Sequence, residues 1–472
     1  MSYSVERFGP PSVAIACICL LAFTGPVRPY PDKDTWWHLR TGELILDSGT
    51  IPDSDPFSWT AQGRPWVAHE WGSQAIFAAL ERVGGPAALL LLAGALVGAA
   101  VLVLQRTLRR SGAQPWARAL ALLASVFMTS LIWTLRPHLF SLLFLAVFFD
   151  LLTAERLRPG RRASWLLVPA TVIWANLHGA FVLGPALIVV YAAVAVLERR
   201  PETRRLLLIG GLSLVAGCLT PHGPALYLYP LHVAEVSYLV NEWQPPDLRE
   251  PQALVFALSV IGSLGLLALR RKAPDTAHLV AAALFALLGF AAMKNIAFSA
   301  IVLAPLVASA ADGLVPGGSP SKSSERVPLM VVLGVGIVAA ALLAGSFVVG
   351  KSESELLEEK SFPAAAVQAL NRRPPGRLAN PYDWGGYLIY RARAFPVSMD
   401  GRNDMYGRSL FERQLLLEDL KPGWDDFLTD NDVRYVLWQR KRPLAEALRL
   451  APGWDLIHED RLAALFERAA TP

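Results

Sequence analysis

Residues 87–110 read AALLLLAGALVGAAVLVLQRTLRR: an uncharged apolar run, Ala87–Leu104, followed by Arg106, Arg109 and Arg110. A helix of about 20 apolar residues crosses the hydrocarbon core of a bilayer, so the run reads as a membrane span. The arginines at its end mark its side, because short cytoplasmic loops carry the excess of Lys and Arg. Other long apolar blocks are Leu139–Phe149, Ala180–Leu197, Leu254–Leu269 and Val327–Val349. Composition agrees. Over 472 residues the chain is 53% hydrophobic and 18% charged, with a mean hydropathy of +0.38, too little charge for a soluble surface of this size.

Extended along the chain, the pattern predicts a polytopic α-helical membrane protein of about eleven spans. They fall near 11–26, 86–105, 117–134, 138–154, 164–176, 179–197, 204–220, 252–269, 276–292, 296–314 and 328–349. The first follows Arg7, lacks a small-x-small cleavage site and reads as a retained helix. Five connections are basic: Arg106 to Arg118, Arg156 to Arg162, Arg199 to Arg205, Arg270-Arg271-Lys272, and Lys322 with Arg326. These are expected on the cytoplasmic side. The other side then receives the loop from Val27 to Gly85, the corner Arg136-Pro137-His138, and Asn176–Gly179. It also receives Thr220–Pro251, Lys294-Asn295 and everything after Gly350. Basic loops account for the net charge of +5, so no nucleic-acid partner is implied. Cys17, Cys19 and Cys218 lie in apolar stretches, which argues against a disulfide framework, and Cys17-Ile18-Cys19 is not metal-ligand spacing.

The composition shifts near residue 350. Residues 1–350 read as the membrane domain and residues 351–472 as a small α/β domain on the extracytoplasmic face, with residues 317–324 as a flexible cytoplasmic linker. In the tail, helices are expected at Phe362–Asn371, Asp383–Ala392, Leu410–Leu420 and Pro443–Leu450. Strands are expected around Arg377–Asn380, Phe395–Met399, Val433–Trp438, Asp455–His458 and Ala463–Phe466.

The residues with chemical potential lie on the outer side. The first outer loop, roughly 60 residues long, exceeds what a connection needs. It carries Asp32-Lys33-Asp34-Thr35-Trp36-Trp37-His38, then Asp53-Ser54-Asp55-Pro56, then His69-Glu70-Trp71. Asp34 and His38 share a helix face at i,i+4, or else Asp34 merely caps a helix over Thr35–Asp47 that ends at Gly49. Trp36 and Trp37 suit a sugar face or the headgroup layer. Asp55 starts a turn or serves a ligand. His69 and Glu70 either join the site or mark the outer end of the next helix. Asp32 and Asp34 are the carboxylates that a divalent cation would use, although two alone specify no metal. Arg136, His138, Asn176, His178, His222, Glu242 and Lys294 stand at the remaining outer corners. Their cationic members suit a phosphate leaving group. In the tail, Tyr382-Asp383-Trp384-Gly385-Gly386-Tyr387 and Asp400-Gly401-Arg402-Asn403-Asp404 stand out, with glycines suited to close packing and turns.

A first helix, a long outer loop with an early Asp, and a helix-opening His-Glu-Trp resemble the GT-C class of membrane glycosyltransferases. The bacterial branch near the protein O-mannosyltransferases and the RgtA/B/C/D-like group is the most similar part of that class. The tail motifs resemble a C-terminal domain common among its bacterial members. Asp-Lys-Asp and Thr-Trp-Trp-His depart from the usual loop motif, and His69-Glu70-Trp71 lacks its prolines. The resemblance implies an inverting transferase of the bacterial inner membrane. It would move a sugar from a polyprenyl-phosphate carrier to a glycan, lipid or protein acceptor. Asp34 would be the base, His38 or Glu70 would orient the acceptor, and Arg136, His138 and Lys294 would receive the lipid phosphate. Two rivals are a non-enzymatic scaffold for envelope assembly and a transporter; the transporter is disfavoured because no repeat is visible and most ionisable residues sit at helix ends.

Overall fold

The apolar blocks form helices wherever the computed structural model describes them, at residues 10–26, 32–234, 240–269, 274–312, 314 and 360–469. Outside the described residues lie the eleventh expected span, the linker 317–324, Tyr30-Pro31, Arg270-Arg271-Lys272, Lys322 and Arg326. Before the tail the helices are α1 Pro10–Thr24, α2 Thr35–Ser48, α3 Trp71–Arg110, α4 Pro115–Thr129, α5 His138–Leu157 and α6 Leu167–Ala175. There follow α7 Leu183–Leu197, α8 Thr203–Ala216, α9 Tyr229–Ala234, α10 Pro251–Leu269, α11 Thr276–Ala291 and α12 Asn295–Ala311. Five of these are long and apolar enough to cross a membrane: α3, α4 with its following turn, α5, α7 with its preceding turn, and α10. Shorter apolar helices are α1, α11 and α12.

Helix α3 is two helices in one. Gly85 breaks it with φ 60° and ψ −158°, a conformation open to glycine, and Pro86 restarts it. The span therefore begins where the apolar run does, and Trp71–Gly84 is a separate helical arm.

The chain divides into two compact units. One comprises Met1–Arg28, Leu90–Leu228 and Ser237–Ala344; the other comprises Pro29–Leu89, Tyr229–Val236 and Gly345–Pro472. In the first unit α12 is buried along nearly its whole length, packed by α4, α5, α10 and α11. Its small residues permit that approach. Ser125 Oγ donates to the Ala300 carbonyl at 3.1 Å, and Ser299 Oγ donates to the Phe285 carbonyl at 2.5 Å. Helix α10 lies at the periphery, with Leu254, Leu258, Ile261 and Leu264 exposed. An apolar stripe of that size on a helix is a lipid-facing surface.

The alternating loops of the first unit gather into two polar ends. At one, Asp150 pairs with Arg106 and Arg110, Arg156 with Glu198 and Asp275, and Arg205 with Glu155. At the other, Arg136, His138, Asn176, His178, Leu219, Glu242 and Lys294 meet as described below. Among the described residues, the three basic loops around Arg110, Arg156 and Arg205 thus gather at one end.

The second unit corrects the expectation of a self-contained C-terminal domain: the first outer loop folds with the tail. A four-stranded sheet runs β1 Leu378–Ala379, β2 Tyr435–Gln439, β4 Ala463–Arg468, β3 Trp454–Glu459 in space. The β1–β2 pair is parallel and the others antiparallel, with Val436 opposite Phe466. One face of β2 and β4, with Tyr435, Leu437 and Leu465, packs on a core containing Trp37, Ala61, Trp66 and Ala68 of the loop. The other face, with Val436, Trp438 and Phe466, packs on Leu428 and Leu448. Leu428 belongs to a helix, Trp424–Asp430, that the residue pattern does not anticipate. The strand expected at Phe395–Met399 forms only single bridges, from Val397 to Ser58 and to Leu378. Its backbone partner is the loop: Trp59 N–H donates to the Val397 carbonyl at 3.0 Å, and Val397 N–H to the Phe57 carbonyl at 3.2 Å.

Candidate functional site

The start of α2 settles the capping question. Asp32 Oδ1 accepts the N–H groups of Asp34 at 2.8 Å and Thr35 at 3.3 Å, so Asp32 satisfies the first orphan donors. Asp34 occupies the N-cap position in αR conformation, and its side chain makes no cap bond. It is buried at 9% exposure, with its carboxylate against Gly401 of the tail: a Cβ on Gly401 would stand 2.0 Å from Asp34 Oδ1. Gly386 also lies close to the chain at Lys33, where a Cβ would meet the Lys33 carbonyl at 2.5 Å. Lys33 Nζ pairs with Asp383 Oδ1 at 2.9 Å. The two glycine motifs of the tail therefore make room for the segment that carries Asp34.

One turn further along α2, His38 is buried. Its Nδ1 lies 3.3 Å from Gln74 Nε2 and 3.7 Å from Glu70 Oε2. The other Glu70 oxygen lies 3.6 Å from His69 Nε2, while His69 Nδ1 stands 3.1 Å from the Val67 carbonyl. The His69 ring packs on Tyr229, centroids 4.2 Å apart, and Tyr229 hydrogen-bonds Asp404. Burial would push the His69 imidazole down, but Glu70 and Asp404 beside it raise it above its ordinary value. Burial raises the Asp404 carboxyl, with His69 and Tyr229 opposing. The Tyr229 phenol is pushed well up, by burial and then by Asp404 and Glu70. These residues form a connected acid–base cluster, the arrangement that general acid–base chemistry uses. Tyr229 and Asp404 were not assigned to a site from the residue pattern. Asp404 stands in the Asp400–Asp404 motif that reads as a turn, and Tyr229 carries no motif.

Other expected site residues serve packing. Asp55 lies 2.8 Å from Arg402 Nη1, and both side chains are fully buried. It also accepts the N–H groups of Phe57 and Ser58 and the Ser58 hydroxyl. Asp400 grips the same guanidinium through Nε at 2.8 Å and Nη2 at 2.7 Å, and Phe57 and Trp66 cover its faces. Asp55 is thus a structural anion joining loop to tail, which corrects its reading as a ligand residue. Trp36 contacts Phe362, Tyr387 and Tyr390 with ring centroids 5.2–5.7 Å apart, and Trp37 is buried against His38 and Trp66. Both indoles belong to the core of the second unit rather than to a sugar platform.

In the first unit, Glu242 joins the corners. Its Oε2 lies 3.2 Å from Arg136 Nη1 and its Oε1 3.4 Å from Lys294 Nζ. Lys294 Nζ sits 3.5 Å over the Trp243 ring. His138 Nε2 is 2.6 Å from the Ile132 carbonyl, and the His138 and His178 rings are 6.4 Å apart. His178 Nδ1 meets Ser141 Oγ at 2.7 Å. Asn176 Nδ2 donates to the Val172 and Leu219 carbonyls, both at 2.9 Å, tying the α6 end to the α8 end. His222 is half-buried in the turn before the short helix Gly223–Leu228. Among the described residues, no group of three or more His, Cys, Asp or Glu is arranged to hold a metal ion.

No protein-family model matches the chain, and no curated protein matches it significantly. Solved structures do. ArnT from Cupriavidus metallidurans bound to undecaprenyl phosphate is similar over 98% of this chain and 98% of that one, with a TM-score of 0.57 at 15% identity. Its apo state is similar over 96% and 97%, with a TM-score of 0.53 at 15% identity. The apo oligosaccharyltransferase of Archaeoglobus fulgidus is similar over 93% of this chain and 70% of that one, with a TM-score of 0.54 at 12% identity. The chain therefore has the fold of these membrane enzymes, the GT-C fold.

Proposed function

We propose that the chain is a membrane glycosyltransferase that moves a sugar from a polyprenyl-phosphate carrier to an extracytoplasmic acceptor. The observation that carries this reading is the Asp34 carboxylate. It makes no cap bond, lies against Gly401 of the tail and stands one helical turn before His38, whose ring faces Glu70, within a fold shared with an enzyme bound to undecaprenyl phosphate. The inner membrane and an outward-facing tail complete the proposal.

In the proposed reaction an acceptor hydroxyl gives its proton to the Asp34 carboxylate as its oxygen attacks the anomeric carbon. The bond from that carbon to the phosphate oxygen breaks, and the electron pair leaves with the lipid phosphate. Attack opposite the leaving group inverts the anomeric centre. Paired cations stabilise the charge of a departing phosphate by charge-assisted hydrogen bonds, and Arg136 and Lys294 of the first unit are the proposed pair. Glu70 and His38 hold the acceptor in line. No step requires a metal; a divalent cation beside Asp32 and Asp34 would instead polarise the phosphate.

The near-burial of Asp34 favours a second reading, a membrane scaffold in which the loop–tail core is the functional element. One experiment separates them. Purified full-length protein is incubated with labelled undecaprenyl-phosphate sugars and membrane extract, and Asp34→Asn is compared with wild type. Removing a general base lowers turnover by about 10²–10⁴-fold. Equal transfer by both proteins removes Asp34 from the mechanism, and no transfer by either favours the scaffold.

A further inference from the structure

Glu242 differs from the most buried carboxylates of the first unit. Asp150, Glu155 and Glu202 are nearly or fully buried among arginines at the opposite polar end, and Glu155 also accepts the N–H groups of Gly160 and Arg161. Glu242 sits on the one-turn segment Asn241–Trp243 with its side chain 39% exposed. Each of its two oxygens faces a different cation, one from the α4–α5 corner and one from the α11–α12 corner. Two oxygens of one phosphate would face the same pair in the same way.

Building on the proposed function, we infer that Glu242 is an internal stand-in for phosphate: its carboxylate occupies the anion seat made by Arg136 and Lys294, and a phosphate monoester binds by displacing it. The seat is prepared in advance. Lys294 N–H donates to the Glu242 carbonyl at 3.1 Å and Met293 N–H to the Gln244 carbonyl at 2.9 Å, so the turn is pinned to the corner that carries the cation. Trp243 shields Lys294 Nζ from one side. Backbone bonds hold the turn in place, and rotation about the side-chain torsions alone would withdraw the half-buried carboxylate. The exchange matches charge: Arg136, Lys294 and Glu242 sum to a formal +1, whereas a phosphate monoester brings up to two negative charges to the same two cations. Protons do not release the carboxylate. Burial would raise it, but Lys294 and Arg136 hold it down at about 2, so it stays ionised at any physiological pH and yields only to a competing anion. In this arrangement Glu242 sets affinity and selectivity: it keeps weak anions out and lets the carrier phosphate leave after transfer.

The test is equilibrium binding to the full-length protein in detergent, with undecaprenyl phosphate, undecaprenol and inorganic phosphate as probes. Glu242→Gln keeps the shape and removes the charge. It is expected to bind undecaprenyl phosphate about two- to fivefold more tightly than wild type, the range for a partly exposed ion pair. Glu242→Asp, too short to reach both cations, should fall between the two and guards against misfolding of the first variant. Lys294→Met should bind more weakly, and undecaprenol should distinguish none of the proteins. A gain with undecaprenyl phosphate alone assigns the seat to a lipid headgroup; a gain with inorganic phosphate as well assigns it to phosphate from either source. If both Glu242 variants bind no more tightly than wild type while Lys294→Met weakens binding, the stand-in is refuted and the phosphate role of Lys294 survives. If Lys294→Met also leaves binding unchanged, the phosphate role falls too.

Discussion

Replacing Gly401 by Ala isolates the contact on which the candidate base depends. Gly401 does not adopt positive φ, so Ala brings no backbone strain and adds only a methyl group. That methyl would stand 2.0 Å from Asp34 Oδ1 and 3.2 Å from Trp37 Nε1. A carbon and a carboxylate oxygen need at least about 3 Å, so the Asp34 carboxylate must retreat by about 1 Å. Overpacking of this kind costs about 1–3 kcal/mol, and restricting the unfolded chain returns about 0.4–1 kcal/mol, leaving a loss of at most about 2.6 kcal/mol. Misplacing a catalytic group by about 1 Å costs about 10²-fold in rate. The expected signature is therefore a melting temperature lowered by a few degrees together with a transfer rate lowered about 10²-fold. Gly385→Ala is the contrast. Its Cβ would meet the Met399 carbonyl at 2.0 Å and Asp400 Cα at 2.6 Å, so two backbones must part and stability should suffer more. The assay is label transfer from undecaprenyl-phosphate sugars, normalised to folded protein, beside thermal unfolding in detergent. Gly401→Ala with wild-type rate and wild-type stability would refute the close approach of Asp34 to the tail. A rate that falls only in proportion to folded protein would refute its role in positioning.

Other outcomes follow from the same structure. Arg402→Ala leaves Asp55 and Asp400 buried without their cation and should destabilise the second unit by about 3–5 kcal/mol, read as a lowered denaturation midpoint; an unchanged midpoint would contradict the burial of the trio. His69 has a raised folded pKa, so its contribution to stability is full below pH 6.5 and is lost as pH rises through the raised value. Asp404, raised above 3.8, loses its contribution in the same direction at lower pH. Thermal unfolding followed from pH 5 to 9 should thus show stability declining toward alkaline pH, with a shallower decline in His69→Gln; identical slopes would remove His69 from the linkage. Trp59→Phe removes the indole N–H bond to the Leu378 carbonyl at 3.0 Å and should cost about 0.5–1.5 kcal/mol in the same unfolding assay.

The apolar helices and the basic loops that end them were legible in the residues because both depend on local quantities. A run such as Ala87–Leu104 must be helical in lipid, since no other backbone satisfies its own polar groups there, and Arg106 and Arg110 mark its end whatever the run packs against. The grouping of Arg136, Glu242 and Lys294 also followed, since loops on one side of a membrane are confined to one layer. The tail strands β2 and β4 were readable because their alternation of faces is local too. Only the tertiary structure decided the rest. The change in composition near residue 350 locates a polar tail, but not that its Val397 pairs with Phe57 and Trp59 or that its Arg402 encloses Asp55. Asp32 rather than Asp34 accepts the first N–H groups of α2, a choice between carboxylates two residues apart that the residue pattern leaves open. Gly386 and Gly401 read as packing or turn residues, yet which atoms they admit is a matter of contacts between segments more than 300 positions apart, as Lys33 with Asp383 shows. Sequence patterns report the environment of a segment; the partner that supplies that environment is chosen by the global packing minimum, which no local window contains.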